Sequence, residues 1–62
     1  MQNNLAEIRK RQGVTQEQLA RTLGVAPQRV SEWERDIKIP RVDMALEIAR
    51  ALDCRVEDIY CL

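Results

Sequence analysis

Histidine and cysteine carry much of the catalytic and metal chemistry of proteins, and this chain is poor in both. It has no histidine, and its two cysteines, Cys54 and Cys61, stand near the end of the chain with no base spaced to activate a thiolate. Two thiols without imidazole cannot complete a four-ligand zinc site unless carboxylates join in unusual number, so no structural metal is expected. A bridge between the two cysteines would close only a short loop and restrain little. The only glycines, Gly13 and Gly24, form no phosphate cradle. Nothing points to a cofactor, a small-molecule ligand or an enzyme. What remains is hydrogen-bonding and ionic chemistry, and its distribution is uneven. Residues 1–41 hold eight basic side chains (Arg9, Lys10, Arg11, Arg21, Arg29, Arg35, Lys38, Arg41) against five acids, a balance of +3. Residues 42–62 hold two basic and five acidic side chains, a balance of −3. The net charge of zero argues against a nucleic-acid partner, but this segregation can still present DNA with a basic face.

The elements that must position these groups read as short helices. A chain of 62 residues has room for one domain and one modest core, here residues 1–62. With one Trp, one Tyr and no Phe, that core must come from Leu, Ile, Val, Ala and Met. Five helices follow from the apolar spacing. The first starts at Asn3 or Asn4, turns Leu5 and Ile8 inward and stops at Gly13. The second is capped by Thr15, with Gln18 completing a capping box, carries Leu19, Ala20 and Leu23, and stops at Gly24. The third opens at Ala26-Pro27 and buries Val30 and Trp33. The fourth carries Val42, Ala45, Leu46, Ile48, Ala49 and Leu52 as one apolar band, wide enough to make it the central element. Val56, Ile59 and Tyr60 suggest a last short turn. The N-terminus has no basic stretch followed by an apolar run, and no long apolar stretch occurs anywhere, so a soluble cytoplasmic protein without a membrane span is expected.

The stretch from Gln16 to Arg35 meets the needs of a helix-turn-helix. A small residue, Ala20, stands where two helices would cross. Gly24 tolerates positive φ in the turn, and Leu19, Leu23, Val25, Val30 and Trp33 lock the angle. In detail, Val14-Thr15-Gln16-Glu17-Gln18-Leu19-Ala20 resembles the Leu-Thr-Gln-x-x-Leu-Ala run of XRE-type regulators, the phage repressor and Cro-like family. Val30-Ser31-Glu32-Trp33-Glu34 resembles that family's Ile-Ser-x-Trp-Glu. The similarity continues through Pro40 and Ile48-Ala49-Arg50-Ala51-Leu52. The end, Val56-Glu57-Asp58-Ile59-Tyr60, looks like that of short single-domain regulators. The resemblance implies an all-α, compact, five-helix lambda-repressor-like domain with its third helix in the DNA major groove. It implies a sequence-specific regulator of transcription, a repressor, that binds a palindromic double-stranded operator as a homodimer.

Carried over by position, the resemblance places Gln28 and Glu32 where relatives read base edges. Arg29 lies beside them, facing phosphate or base. Ser31 and Arg35 belong to the same DNA-binding set. Gln16 matches a phosphate contact at the start of the second helix. Lys38 and Arg41 fall in the loop that runs along the backbone, Arg41 where some relatives send an arginine into the minor groove. Arg9 is expected to pair with Glu34 and tie the first helix to the third, while Ala20, Gly24, Val30 and Trp33 are structural. Lys10 and Arg11 are either a solvated face or further DNA contacts. Trp33 could stack on a base, but its register with Val30 favours the core.

This sequence also departs from the family. Asp36 and Asp53 replace common post-helix glycines, Arg41 and Arg55 replace serine caps, and Pro27 stands where relatives often read a base with Gln. Cys54 occupies a core valine position and is expected to be inert. The turn at Asp53-Cys54-Arg55 with Tyr60 and Leu62 is a candidate dimer surface, with a frayed terminus as its alternative. A second functional reading stays open: a protein-binding module of the same fold, antitoxin-like or phage-derived, which neutral net charge and an acidic C-terminal third would suit.

Overall fold

Capping chemistry sets the helix boundaries. The computed structural model describes residues 2–61 and the side chains of residues 3–60; Met1 and Leu62 lie outside it. Helix α1 spans Leu5–Arg11, α2 Gln16–Leu23, α3 Pro27–Glu34, α4 Val42–Ala51 and α5 Val56–Ile59. At the start of α2 the Thr15 hydroxyl accepts from the Gln18 N–H at 3.0 Å, and the Gln18 side chain accepts from the Thr15 N–H at 2.9 Å. This is the reciprocal box that satisfies two otherwise orphan donors. Pro27 opens α3 behind Ala26. Neither Arg41 nor Arg55 can cap with an oxygen of its side chain. At α5 the Asp58 carboxylate takes over, accepting from the Arg55 N–H at 2.9 Å.

The other ends share one device. Gly13, Gly24, Asp36 and Asp53 have φ of 71°, 72°, 59° and 51°. The residue after each donates its N–H back over the last turn. Val14 reaches the Arg9 carbonyl at 3.0 Å, Val25 that of Ala20 at 3.0 Å, Ile37 that of Glu32 at 2.9 Å and Cys54 that of Ala49 at 2.9 Å. These are six-to-one closures built on a left-handed residue. Two of the four use aspartate, which bears a Cβ penalty that glycine avoids.

Every helix contributes to the core: Leu5 and Ile8 from α1, Leu19 and Ala20 from α2, Val30 and Trp33 from α3, Ile48 and Ala49 from α4, Ile59 from α5, and Leu52 just beyond α4. Trp33 is 3% exposed, so it packs rather than stacks. Two of the six residues in the expected band of α4 behave otherwise. Ala45, Ile48, Ala49 and Leu52 face inward, whereas Val42 is 78% and Leu46 52% exposed. These two sit on the shoulder of the buried stripe, and none of the four other helices reaches across to cover it.

A two-residue antiparallel ladder joins β1 (Gln2–Asn3) to β2 (Tyr60–Cys61), pairing Gln2 with Cys61 and Asn3 with Tyr60. Tyr60 is therefore neither frayed nor projecting. It packs against the core with its hydroxyl buried, and that oxygen has no hydrogen-bond partner among the described residues. Asn3 does more than start α1. Its amide donates to the Trp33 carbonyl at 3.1 Å and to the Asp36 carboxylate at 2.7 Å, while its oxygen accepts from the Leu5 N–H at 3.1 Å. No helix among the described residues is long and apolar enough to cross a membrane.

Candidate nucleic-acid interface

The attitude of α3 is set by a buried cluster behind it. Arg9 is held on both sides: its Nε donates to Glu34 Oε2 at 2.5 Å and its Nη2 to Oε1 at 3.2 Å, while Nη1 reaches the Val14 carbonyl at 2.8 Å. The two side chains are only 8% and 7% exposed. Gln16 joins them, its amide donating to Glu34 Oε1 at 2.9 Å. One carboxylate on α3 thus gathers donors from α1 and α2. Gln16, expected at a phosphate, gives one of its two amide N–H groups to Glu34 and stays half-buried at the start of α2. The Gln12 amide donates to the Leu52 carbonyl, joining the end of α1 to the end of α4. The family resemblance anticipated the Arg9–Glu34 pair, whereas the Gln16 and Gln12 contacts depend on which elements meet in space, and no local pattern in the chain announced them.

With Val30 and Trp33 buried, the opposite face of α3 turns to solvent. Gln28, Arg29 and Arg35 are exposed along it, and Ser31 and Glu32 are half-buried between them. Beyond α3 the loop carries Lys38 and Arg41, both exposed. A shallow cleft of about 330 Å³ brings Arg29, Lys38 and Arg41 around one concavity, with Asp43 as its only acid. Arg41 holds that acid loosely, at 3.4 Å across a solvated pair. Arg29, Arg35 and Lys38 form no ion pair among the described residues, and neither does Lys10. Arg11, by contrast, pairs with Glu7 on α1 at 2.9 Å. Such an array of unneutralised cations around a cleft suits a polyanion. Among the described residues no group of His, Cys, Asp and Glu could hold a metal ion.

Ala20 is 1% exposed where α2 meets α3, and Gly24 turns the chain between them. A helix-turn-helix family model matches residues 5–59, almost the whole of the chain. The chain belongs to the helix-turn-helix family. Among helix-turn-helix relatives, the HTH-type transcriptional regulator YgzD of Bacillus subtilis is 37% identical over 62 residues, all of this chain and 94% of that one. The SPbeta prophage-derived HTH-type regulator YopS of the same organism is 33% identical over 57 residues, 90% of this chain and 77% of its own length. Among solved helix-turn-helix structures, the P22 c2 repressor in complex with synthetic operator 9T superposes with a TM-score of 0.80 at 28% identity. That match covers 86% of this chain and 80% of the repressor. SinR, the master regulator for biofilm formation, in complex with DNA, gives a TM-score of 0.77 at 28% identity, with 86% of each chain covered.

Burial also marks two groups near this frame. Burial first, then the charges of Asp58 and Asp53, push the Cys54 thiol above the usual cysteine range, as suits an unreactive side chain. Burial, and after it the Asp36 carboxylate, push the Tyr60 hydroxyl above the usual tyrosine range.

Proposed function

We propose that this chain is a sequence-specific double-stranded DNA-binding regulator of transcription, a repressor, acting as a single helix-turn-helix domain that lays α3 in the major groove. The observation that carries the reading is the exposed face of α3, whose Gln28 and whose Arg29 and Arg35, without ion pairs among the described residues, are aimed outward by the buried Arg9–Glu34–Gln16 cluster. Operator-bound P22 c2 and DNA-bound SinR, similar in backbone, support it. Gln28 can pair bidentately with adenine, and Glu32, which only accepts, suits the amino group of cytosine. Ser31 and Arg35 flank these readers. Arg29, Lys38 and Arg41 neutralise phosphates around their shared cleft. Gln16 meets a phosphate at the start of α2 while one of its amide N–H groups holds Glu34. Two copies bind a palindromic operator with half-sites about 10 base pairs apart, in the cytoplasm where the chromosome lies.

The test compares variants on a duplex selected from a random pool and on its scrambled counterpart, at two salt concentrations. Gln28→Ala should cost about 1 to 3 kcal/mol on the selected duplex and little on the scrambled one. Arg29→Ala should weaken both alike and flatten the salt slope by about one unit. Equal losses on both duplexes for Gln28→Ala remove it from base readout. Binding by the parent chain that ignores salt overturns the DNA reading in favour of a protein partner.

A further inference from the structure

We propose that the exposed shoulder of α4 is a self-association surface, on which a second copy of this chain packs antiparallel about a twofold axis at Leu46. The inference deepens the proposed function, which calls for a dimer without saying where it forms. Of the four large apolar side chains that stand exposed, Val42 at 78% and Leu46 at 52% lie one helical turn apart on α4, while Ile39 at 62% and Ile37 at 56% lie in the loop before it. An isolated exposed aliphatic residue is ordinary, whereas a pair four apart on one helix is a seam. Tyr60, the other candidate, is folded back onto its own core.

Charge selects the occupant. Asp43 and Arg50 stand on the same flank of α4 as this seam, seven residues or about two turns apart. Arg50 has no ion-pair partner among the described residues, and Asp43 has only the loose contact with Arg41 at 3.4 Å. Reversing the helix about Leu46 sets Arg50 of one copy opposite Val42 of the other, one residue from Asp43, and the same pair recurs on the far side of the axis. The stem of each Arg50 then lies over the Val42 of the other copy while its head reaches Asp43. The surface is complementary to itself, as a twofold interface requires. Its size sets the strength. Val42, Leu46 and Ile39 put roughly 300 Å² of apolar side chain into water, against about 800 Å² per partner in a standard stable interface. Free chains should therefore associate only in about the 100 μM range, and two half-sites on one duplex, by raising the effective concentration, should complete the dimer.

Sedimentation velocity of the free protein from 10 μM to 1 mM is the first arm, and titration of duplexes carrying one or two selected half-sites is the second. The parent chain should shift from monomer to dimer across that range and bind two half-sites cooperatively. Leu46→Asp should abolish the shift and reduce cooperativity about tenfold, with single half-site affinity unchanged. Asp43→Arg and Arg50→Asp should each abolish the shift in sedimentation through like-charge contacts, and the double reversal should restore it; Asp43 also lines the cleft of Arg29, Lys38 and Arg41, so these variants are read by sedimentation and not by half-site affinity. All of these positions are at the surface, so thermal melts should match the parent. A parent that stays monomeric at 1 mM, a Leu46→Asp variant that still dimerises, or a double reversal without rescue overturns the proposal. Absence of DNA binding by the parent strikes the proposed function instead and leaves the sedimentation arm to decide this surface.

Discussion

Removing Glu34 should come close to unfolding the protein, and the double-mutant cycle with Arg9 shows why. In Glu34→Leu the guanidinium of Arg9, 8% exposed, keeps only the Val14 carbonyl and loses both carboxylate contacts. In Arg9→Met the carboxylate keeps only the amide of Gln16. Breaking a buried pair from either side leaves an uncompensated charge and costs about 3 to 5 kcal/mol. For a domain of this size each kcal/mol lowers Tm by about 4 to 8 °C, so either single variant should melt roughly 15 to 25 °C or more below the parent. The double variant buries no stranded charge. It should recover most of the loss, leaving a coupling of about 2 kcal/mol or more. Urea unfolding of the four proteins, with the slope checked for constancy, measures this. Losses that add to within about 0.5 kcal/mol would refute the buried pair.

Replacing Asp53 by Gly relieves a left-handed residue at φ 51° whose side chain makes no hydrogen bond among the described residues, and should stabilise by about 1 kcal/mol in a thermal melt. Asp36→Gly should gain less, because it gives up the 2.7 Å contact with Asn3; an equal gain at both sites would show that this contact contributes nothing. Tyr60→Phe removes a buried hydroxyl without a partner and should stabilise by about 1 kcal/mol, with unchanged or lower stability as the contrary result. Because the folded-state pKa of Tyr60 is raised, the fold holds this proton more tightly than the unfolded chain does. Stability from this group is thus complete below the usual tyrosine pKa and lost as pH climbs through the folded one. Ultraviolet titration should place the Tyr60 midpoint above about 10, and the alkaline loss of stability should be smaller in Tyr60→Phe.

What was legible in the sequence was what the chain decides locally. Thr15 and Gln18 cap one helix because three residues bring them within reach of each other. Gly24 turns the chain because only that φ closes the preceding turn, and Asp36 and Asp53 could be placed in the same conformation by the glycines that relatives carry there. Apolar periodicity found the inner face of α4 but not its edge. Val42 and Leu46 belong to the apolar arc of the helix, and whether such an arc is buried depends on the width of the neighbours laid against it. The exposed face of α3 followed from the opposite register of Val30 and Trp33. The inward turn of Gln16, the Asn3 contact with Trp33 and the pairing of the chain ends depend on elements far apart in sequence, to which neither spacing nor propensity speaks.

That pairing of the ends has a topological consequence. Partners in such a ladder lie about 5 Å apart, so a linker of a few residues could join Cys61 to Gln2 and make the chain a ring. Ring closure acts on the unfolded ensemble and, for a loop of this length, is worth about 4 kcal/mol in the chain-entropy account. The ring could then be opened in the exposed loop at Lys38, giving a circular permutant that begins near α4 and ends just beyond α3. Helices α4 and α3 would exchange their order along the chain while keeping their places in space.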